Sequence, residues 1–252
     1  MLQSIRGLLA ATVLSTAVFV SAPALAQDEE GDITISGNAA LVSEYRFRGV
    51  DLSGGDIAIQ GGVDVGHSSG FYIGTWASSL DEDTVGYGHT ELDLYGGWSG
   101  EVTPGLTVDV GALYYAYPNA PAGDYDYWEF YGSLGYAIGP IEATAGVAYA
   151  PSQDSLDFGG GKDDNLYLYV DLGTGIPNTP ISLSAHLGYT DGVLTYTNNS
   201  KAWDYSIGAD FAVNENLSIG VAYVNAEDDF VPAAGAYNFT DGALVGTLSV
   251  SF

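Results

Sequence analysis

From Ile33 to Phe252 the chain repeats one pattern. Runs of about nine to eleven residues alternate apolar and polar side chains, and each run ends in a cluster of Gly, Pro, Asn, Asp or Ser. A period of two belongs to an extended strand, whose side chains point alternately to opposite faces. Ile57, Ile59, Gly61, Val63 and Val65 share one face, with Gln60 and Asp64 on the other. Leu166, Leu168, Val170 and Leu172 alternate in the same way with Tyr167, Tyr169 and Asp171. A chain written this way is all-β, and about twelve such runs can be counted.

Both faces of these strands need a solvent. The apolar face is too continuous for water, and no apolar run downstream of the leader is long enough for a spanning helix. An even strand count suits a closed membrane barrel of a single bacterial chain. Long connections tend to follow odd-numbered runs and tight turns even-numbered ones, which predicts a transmembrane antiparallel β-barrel with both termini periplasmic. Aromatic residues mark the two ends of the apolar face. Tyr45, Phe47, Tyr114, Trp128, Phe130, Tyr149, Tyr189, Tyr205 and Tyr223 fall near one end, and Phe71, Trp98, Tyr136, Phe211 and Phe252 near the other. A secreted β-sandwich also alternates, but it predicts neither the belts nor the terminal Phe252. Residues 1–26 read as a secretory signal peptide, with Arg6, an apolar core from Leu8 to Val20 and Ala24-Leu25-Ala26 before the cleavage point. Residues 27–252 then form the barrel.

The net charge is -27, with only five Lys and Arg. Such a chain lacks the basic footprint that nucleic acid requires. The expected partners are outer-membrane lipid and lipopolysaccharide, the barrel-assembly machinery through the Phe252 strand, and small solutes or ions. Two of the four basic residues beyond the leader, Arg46 and Arg48, stand in Gly37–Gly49, here read as one strand. Alternation places Ala39, Leu41, Tyr45 and Phe47 toward lipid and Asn38, Glu44, Arg46 and Arg48 toward the lumen. A lipid-facing Arg would cost about 2–4 kcal/mol near the midplane, which fixes this parity.

The same parity sends Glu91, Asp93 and Glu129 into the outer half of the lumen beside Arg46, Arg48 and Glu44, the expected constriction. Asp64, Asp109, Glu142, Asp171 and Asp210 line the lower lumen. Charges of both signs at a narrow point set up a transverse field, and the acidic excess favours cations. The function this implies is passive diffusion of small hydrophilic solutes through a porin-like channel. The alternative is a closed structural or surface-binding outer-membrane barrel acting through its extracellular loops, its interior plugged by paired charges.

Nothing in the sequence calls for a cofactor or metal, and catalysis is not expected. His186 and Ser184 share an inward face, but no third orienting group is evident. The acidic stretches Asp81–Asp83, Asp154–Asp164 and Glu227–Asp229 lack the spacing of a calcium loop.

Several short stretches carry a resemblance. They are Ser43 to Gly49, Gln60 to Asp64, Gly70 to Trp76, Glu91 to Tyr95, Tyr115 to Pro118 and Glu129 to Tyr131. Together they resemble the TorF-type porin family of proteobacteria, also known as Gcw_chp. The resemblance covers essentially all of the mature chain and is most specific in its first half. It implies an outer-membrane barrel and a pore, with no established substrate and no binding residue.

Overall fold

The computed structural model describes residues 32–158, 163–232 and 237–252. The expected leader, and the Gly159–Lys162 part of one acidic connection, lie outside the described residues. The long strands are β1 (Ile33–Val42), β4 (Ala58–His67), β5 (Phe71–Ser79), β6 (Thr90–Thr103), β7 (Leu106–Ala116) and β8 (Tyr127–Ile138). They continue with β9 (Ile141–Ala150), β10 (Asn165–Gly175), β11 (Ile181–Gly192), β12 (Lys201–Ala212), β13 (Leu217–Ala226) and β14 (Ala243–Ser251). Each pairs antiparallel with its neighbours, and β1 pairs with β14, so the twelve close into a barrel. Two short strands, β2 (Arg46–Phe47) and β3 (Val50–Asp51), form a separate hairpin, and one helical turn, α1 (Glu82–Val85), lies in the connection after β5.

The alternation seen in the sequence is the alternation between outside and inside. Ile35, Ile73 and Ile207 are 65–70% exposed on the outer wall, whereas the inward Leu113 and Tyr115 are buried. An exposed apolar surface that runs around the whole circumference belongs in hydrocarbon. Only a closed barrel can present it there with every strand edge paired. Trp128, Phe130, Tyr149, Tyr205 and Tyr223 ring the end that carries the long connections. Phe71, Trp98, Tyr136, Phe211 and Phe252 ring the end with the tight turns.

Inside, tyrosines lie opposite glycines. Tyr95 is registered with Gly74, Tyr131 with Gly111 and Tyr169 with Gly146. A Cβ built on Gly146 would stand 2.3 Å from the Tyr169 ring, so the ring lies flat across its cross-strand partner. The abundance of both residue types follows from this layering.

Two stretches depart from the sequence reading. The strand expected over Gly37–Gly49 stops at Val42, whose partners are Ala58 and Thr247. On the β4 side no strand continues beyond Ala58, so the chain leaves the wall there. Ser43 makes a last pair of bonds with Gly246, 2.8 and 2.9 Å, and the chain then folds inward. Tyr45 and Phe47 therefore do not face lipid: Tyr45 is 2% exposed, inside the barrel. The first connection is thus Ser43–Ile57, one of the long ones. The second departure is at Thr190–Trp203, a polar stretch that the sequence alone reads as one long loop. Strand β11 runs on to Gly192 and β12 restarts at Lys201, which puts Trp203 on the outer wall against Tyr189, ring centroids 4.8 Å apart.

The lipid face should not tolerate charge near its middle. Replacing Ile207 by Arg should lower unfolding stability in lipid vesicles by roughly 2–4 kcal/mol, measured by urea titration. The inward-facing Ser206→Arg should cost less.

Candidate functional site

The segment that leaves the wall after Val42 crosses the barrel. Arg48 (φ 48°) and Gly49 (φ 84°) form the two-residue loop of the β2–β3 hairpin, both in the left-handed conformation that type I′ turns require. Gly49 admits no side chain, since a Cβ would lie 2.6 Å from that of Ala226. In the closed strand order β10 and β8 stand fifth and seventh from β1 in a circle of twelve, so they form the wall opposite the hairpin's root. Arg48 reaches that wall. Its Nη2 donates to Glu129 Oε1 and Oε2 at 2.6 and 2.8 Å, and its guanidinium carbon lies 4.2 Å from the ring centroid of Tyr167. Both members of the ion pair are buried, with side chains 3% and 0% exposed.

Burial works against the charge of Arg48. The Glu129 carboxylate and neighbouring phenols more than offset it, so its pKa lies above the ordinary arginine value. Tyr115 donates to the same carboxylate at 3.2 Å and stacks on Tyr127, centroids 4.4 Å apart.

The root of the hairpin is held on the other side. Tyr45 donates to Glu91 Oε1 at 2.6 Å and meets Trp76 edge-on. Burial, then the charges of Glu91 and Asp93, push its phenol well above its usual pKa, so it keeps the proton it donates. Tyr117 completes Glu91 from the neighbouring strand end, 3.4 Å from Oε2. Asp51 is fully buried and accepts from Ser53, from the Gly55 amide and, at 2.7 Å, from Tyr237 of the last long connection. Arg46 does not reach Glu91, Asp93 or Glu129. It pairs with Glu44 and donates to the carbonyls of Gly49, Phe239 and Asp241, tying the hairpin to the same connection.

Of the six residues expected to share the constriction, the structure therefore joins Arg48 to Glu129 and leaves Arg46 and Glu44 as a pair above them. Glu91 and Asp93, both 1% exposed, lie on the same inner wall. Lower down, Asp64 accepts from Tyr95 at 2.6 Å, and Asp109 from Tyr72 at 2.7 Å. Asp171 meets His186 Nδ1 at 2.6 Å. Asp210 lies beside Gly220, and Glu142 stands exposed near the turn-bearing end.

The other nitrogen of His186 contacts Asp204 at 3.0 Å and the Tyr167 hydroxyl at 2.7 Å. With both nitrogens engaged, and Ser184 Oγ without a hydrogen-bond partner among the described residues, no Ser–His dyad is formed. Sequence reading missed Tyr45, Tyr115, Tyr127, Tyr167, Asp51 and Asp204. The phenols at 115, 127 and 167 carried a signal, because each falls on the polar parity of its strand.

The Gcw_chp family, described as "Bacterial protein of unknown function", matches residues 26–252. No curated protein matches the sequence. Among solved structures, the KdgM porin is similar at a TM-score of 0.56 and 8% identity, over 86% of this chain and 98% of that one. The NanC porin is similar at 0.55 and 11%, over 86% and 98%. The COG4313 outer membrane channel from Pseudomonas putida F1 is similar at 0.53 and 10%, over 89% and 98%. At these identities the likeness is one of fold.

Glu129→Gln strands the Arg48 charge inside the barrel. Unfolding stability should fall by roughly 3–5 kcal/mol. The double variant Arg48→Gly/Glu129→Gln should recover most of that loss in the same denaturant titration.

Proposed function

Since the chain belongs to the Gcw_chp family and folds as an outer-membrane porin-like barrel of twelve strands, we propose that it is a narrow, cation-preferring channel for small hydrophilic solutes. The long connections face the outside and both termini the periplasm, as the loop asymmetry suggests. The observation that carries this reading is the lumen itself. Carboxylates project inward along its length, from Glu91, Asp93 and Glu129 down to Asp64, Asp109, Asp171, Asp204 and Asp210. Among the described residues Arg48 and His186 sit between these carboxylates, each already paired, and Arg46 is paired with Glu44 at the mouth. Acidic walls in a low-dielectric frame raise the local concentration of cations and repel anions. The KdgM porin has a structure in complex with disordered oligogalacturonate, a polyanion. The charge here disfavours such a solute.

Passage is governed by the hairpin, which lies across the mouth with Arg48 and Glu129 at its far end. That placement also supports a second reading, a closed barrel acting through its outer loops. Phe252, 75% exposed, ends the strand that the assembly machinery would engage, and the outer wall contacts lipid and lipopolysaccharide.

Single-channel recording in a salt gradient separates the two readings. The channel reading expects a reversal potential of cationic sign that shrinks when Asp64, Asp109, Asp171 and Asp210 are changed to Asn. Electrical silence, or an anionic sign that survives removal of Arg46 and Arg48, would overturn it.

A further inference from the structure

The tip of the hairpin is bound as a ligand is bound. A flat cation, the Arg48 guanidinium, sits with one edge on a buried carboxylate and one face over an aromatic ring, 4.2 Å from the Tyr167 centroid. Phe47 lies on it at 4.8 Å, and the stacked Tyr115–Tyr127 pair braces the carboxylate. Glu129, Tyr115, Tyr127 and Tyr167 are all fixed on wall strands and are 0–5% exposed. They form a receptor in their own right, built of one desolvated carboxylate and π-faces, the combination that selects delocalised organic cations.

The occupant fits it incompletely. Only Nη2 of Arg48 bonds to Glu129, while Nε and Nη1, both buried, have no hydrogen-bond partner among the described residues. Arg48 also holds a left-handed backbone conformation, φ 48°, that non-glycine residues adopt at a cost. A free guanidinium is bound by neither constraint and can present a full edge to the carboxylate.

We propose that Glu129, with Tyr167 and the Tyr115–Tyr127 pair, is a binding site for guanidinium-type organic cations, and that Arg48 is its resident, displaceable occupant. The site extends the channel reading by naming a solute class, and by making that solute the competitor that lifts the hairpin.

The probe is guanidinium chloride at millimolar concentration, with sodium chloride at equal ionic strength as reference. Arg48→Gly vacates the site and suits the backbone at that position, and Arg48→Asn, which also tolerates it, is the second variant. Calorimetric titration of the detergent-solubilised Arg48→Gly and Arg48→Asn barrels should show saturable guanidinium binding at least ~10-fold tighter than in wild type. That binding should be lost in Arg48→Gly/Glu129→Gln. In the wild-type barrel, guanidinium should accelerate hydrogen exchange of the 46–51 amides while sodium does not. Equal guanidinium binding in all variants, or unchanged exchange in wild type, overturns the site. In bilayers, guanidinium should produce a saturable reduction of current through Arg48→Gly. A barrel that binds guanidinium by calorimetry but conducts nothing would overturn the channel reading and leave the site standing.

Discussion

The bonds between β1 and β14 hold everything else in place. In hydrocarbon an unpaired backbone amide or carbonyl costs several kcal/mol, and a sheet of twelve strands has two edges until they meet. They meet over five registered pairs, Asn38↔Ser251 to Val42↔Thr247, against ten between β1 and β4. Gly37 and Phe252 add a reciprocal pair at 2.9 and 3.0 Å, and Ser43 with Gly246 extends the seam at the other end. Gly37 has no side chain where the Phe252 ring lies, 2.8 Å from where a Cβ would be. Closure makes one face of every strand outer and the other inner, and so gives the alternation its meaning.

That alternation was legible because it is local. The outward sets on β4, β8, β10 and β13 can be read from spacing alone, and even Phe71 and Ile73, on a strand with aromatics on both faces, fall outward. The hairpin was not legible, for a physical reason. Residues 43–49 alternate in sequence as a strand would, and an interior packed with tyrosine accepts Tyr45 and Phe47 as readily as a lipid interface does. What ends β1 is the register with β4, which starts only at Ala58, and no spacing inside Gly37–Gly49 reports it. Likewise Glu129 could be placed inside the barrel from parity, but its pairing with Arg48 spans 81 residues of chain. The turn at Arg48-Gly49 was the one local hint that the strand could not continue.

The lumen solves a packing problem peculiar to small barrels. Inward side chains from facing walls compete for one narrow volume. Laying Tyr95, Tyr131 and Tyr169 flat over Gly74, Gly111 and Gly146 keeps large rings against the wall. The hydroxyls still reach carboxylates, as Tyr95 does with Asp64 and Tyr72 with Asp109. Polar groups are thereby satisfied sideways, along the wall, and the axis is left to the hairpin.

The hairpin springs from the first strand, yet its seat is made by β8 and β10, which follow it by a large part of the chain. Its outer fastening is later still, since Asp51 and Arg46 bond to residues 237–241. The contacts that seat the segment are thus of high sequence separation, the kind whose loop-closure cost is largest. The mouth of this barrel takes its shape from the first loop and from strands and a connection drawn from far along the chain, so its geometry depends on the whole ring being closed.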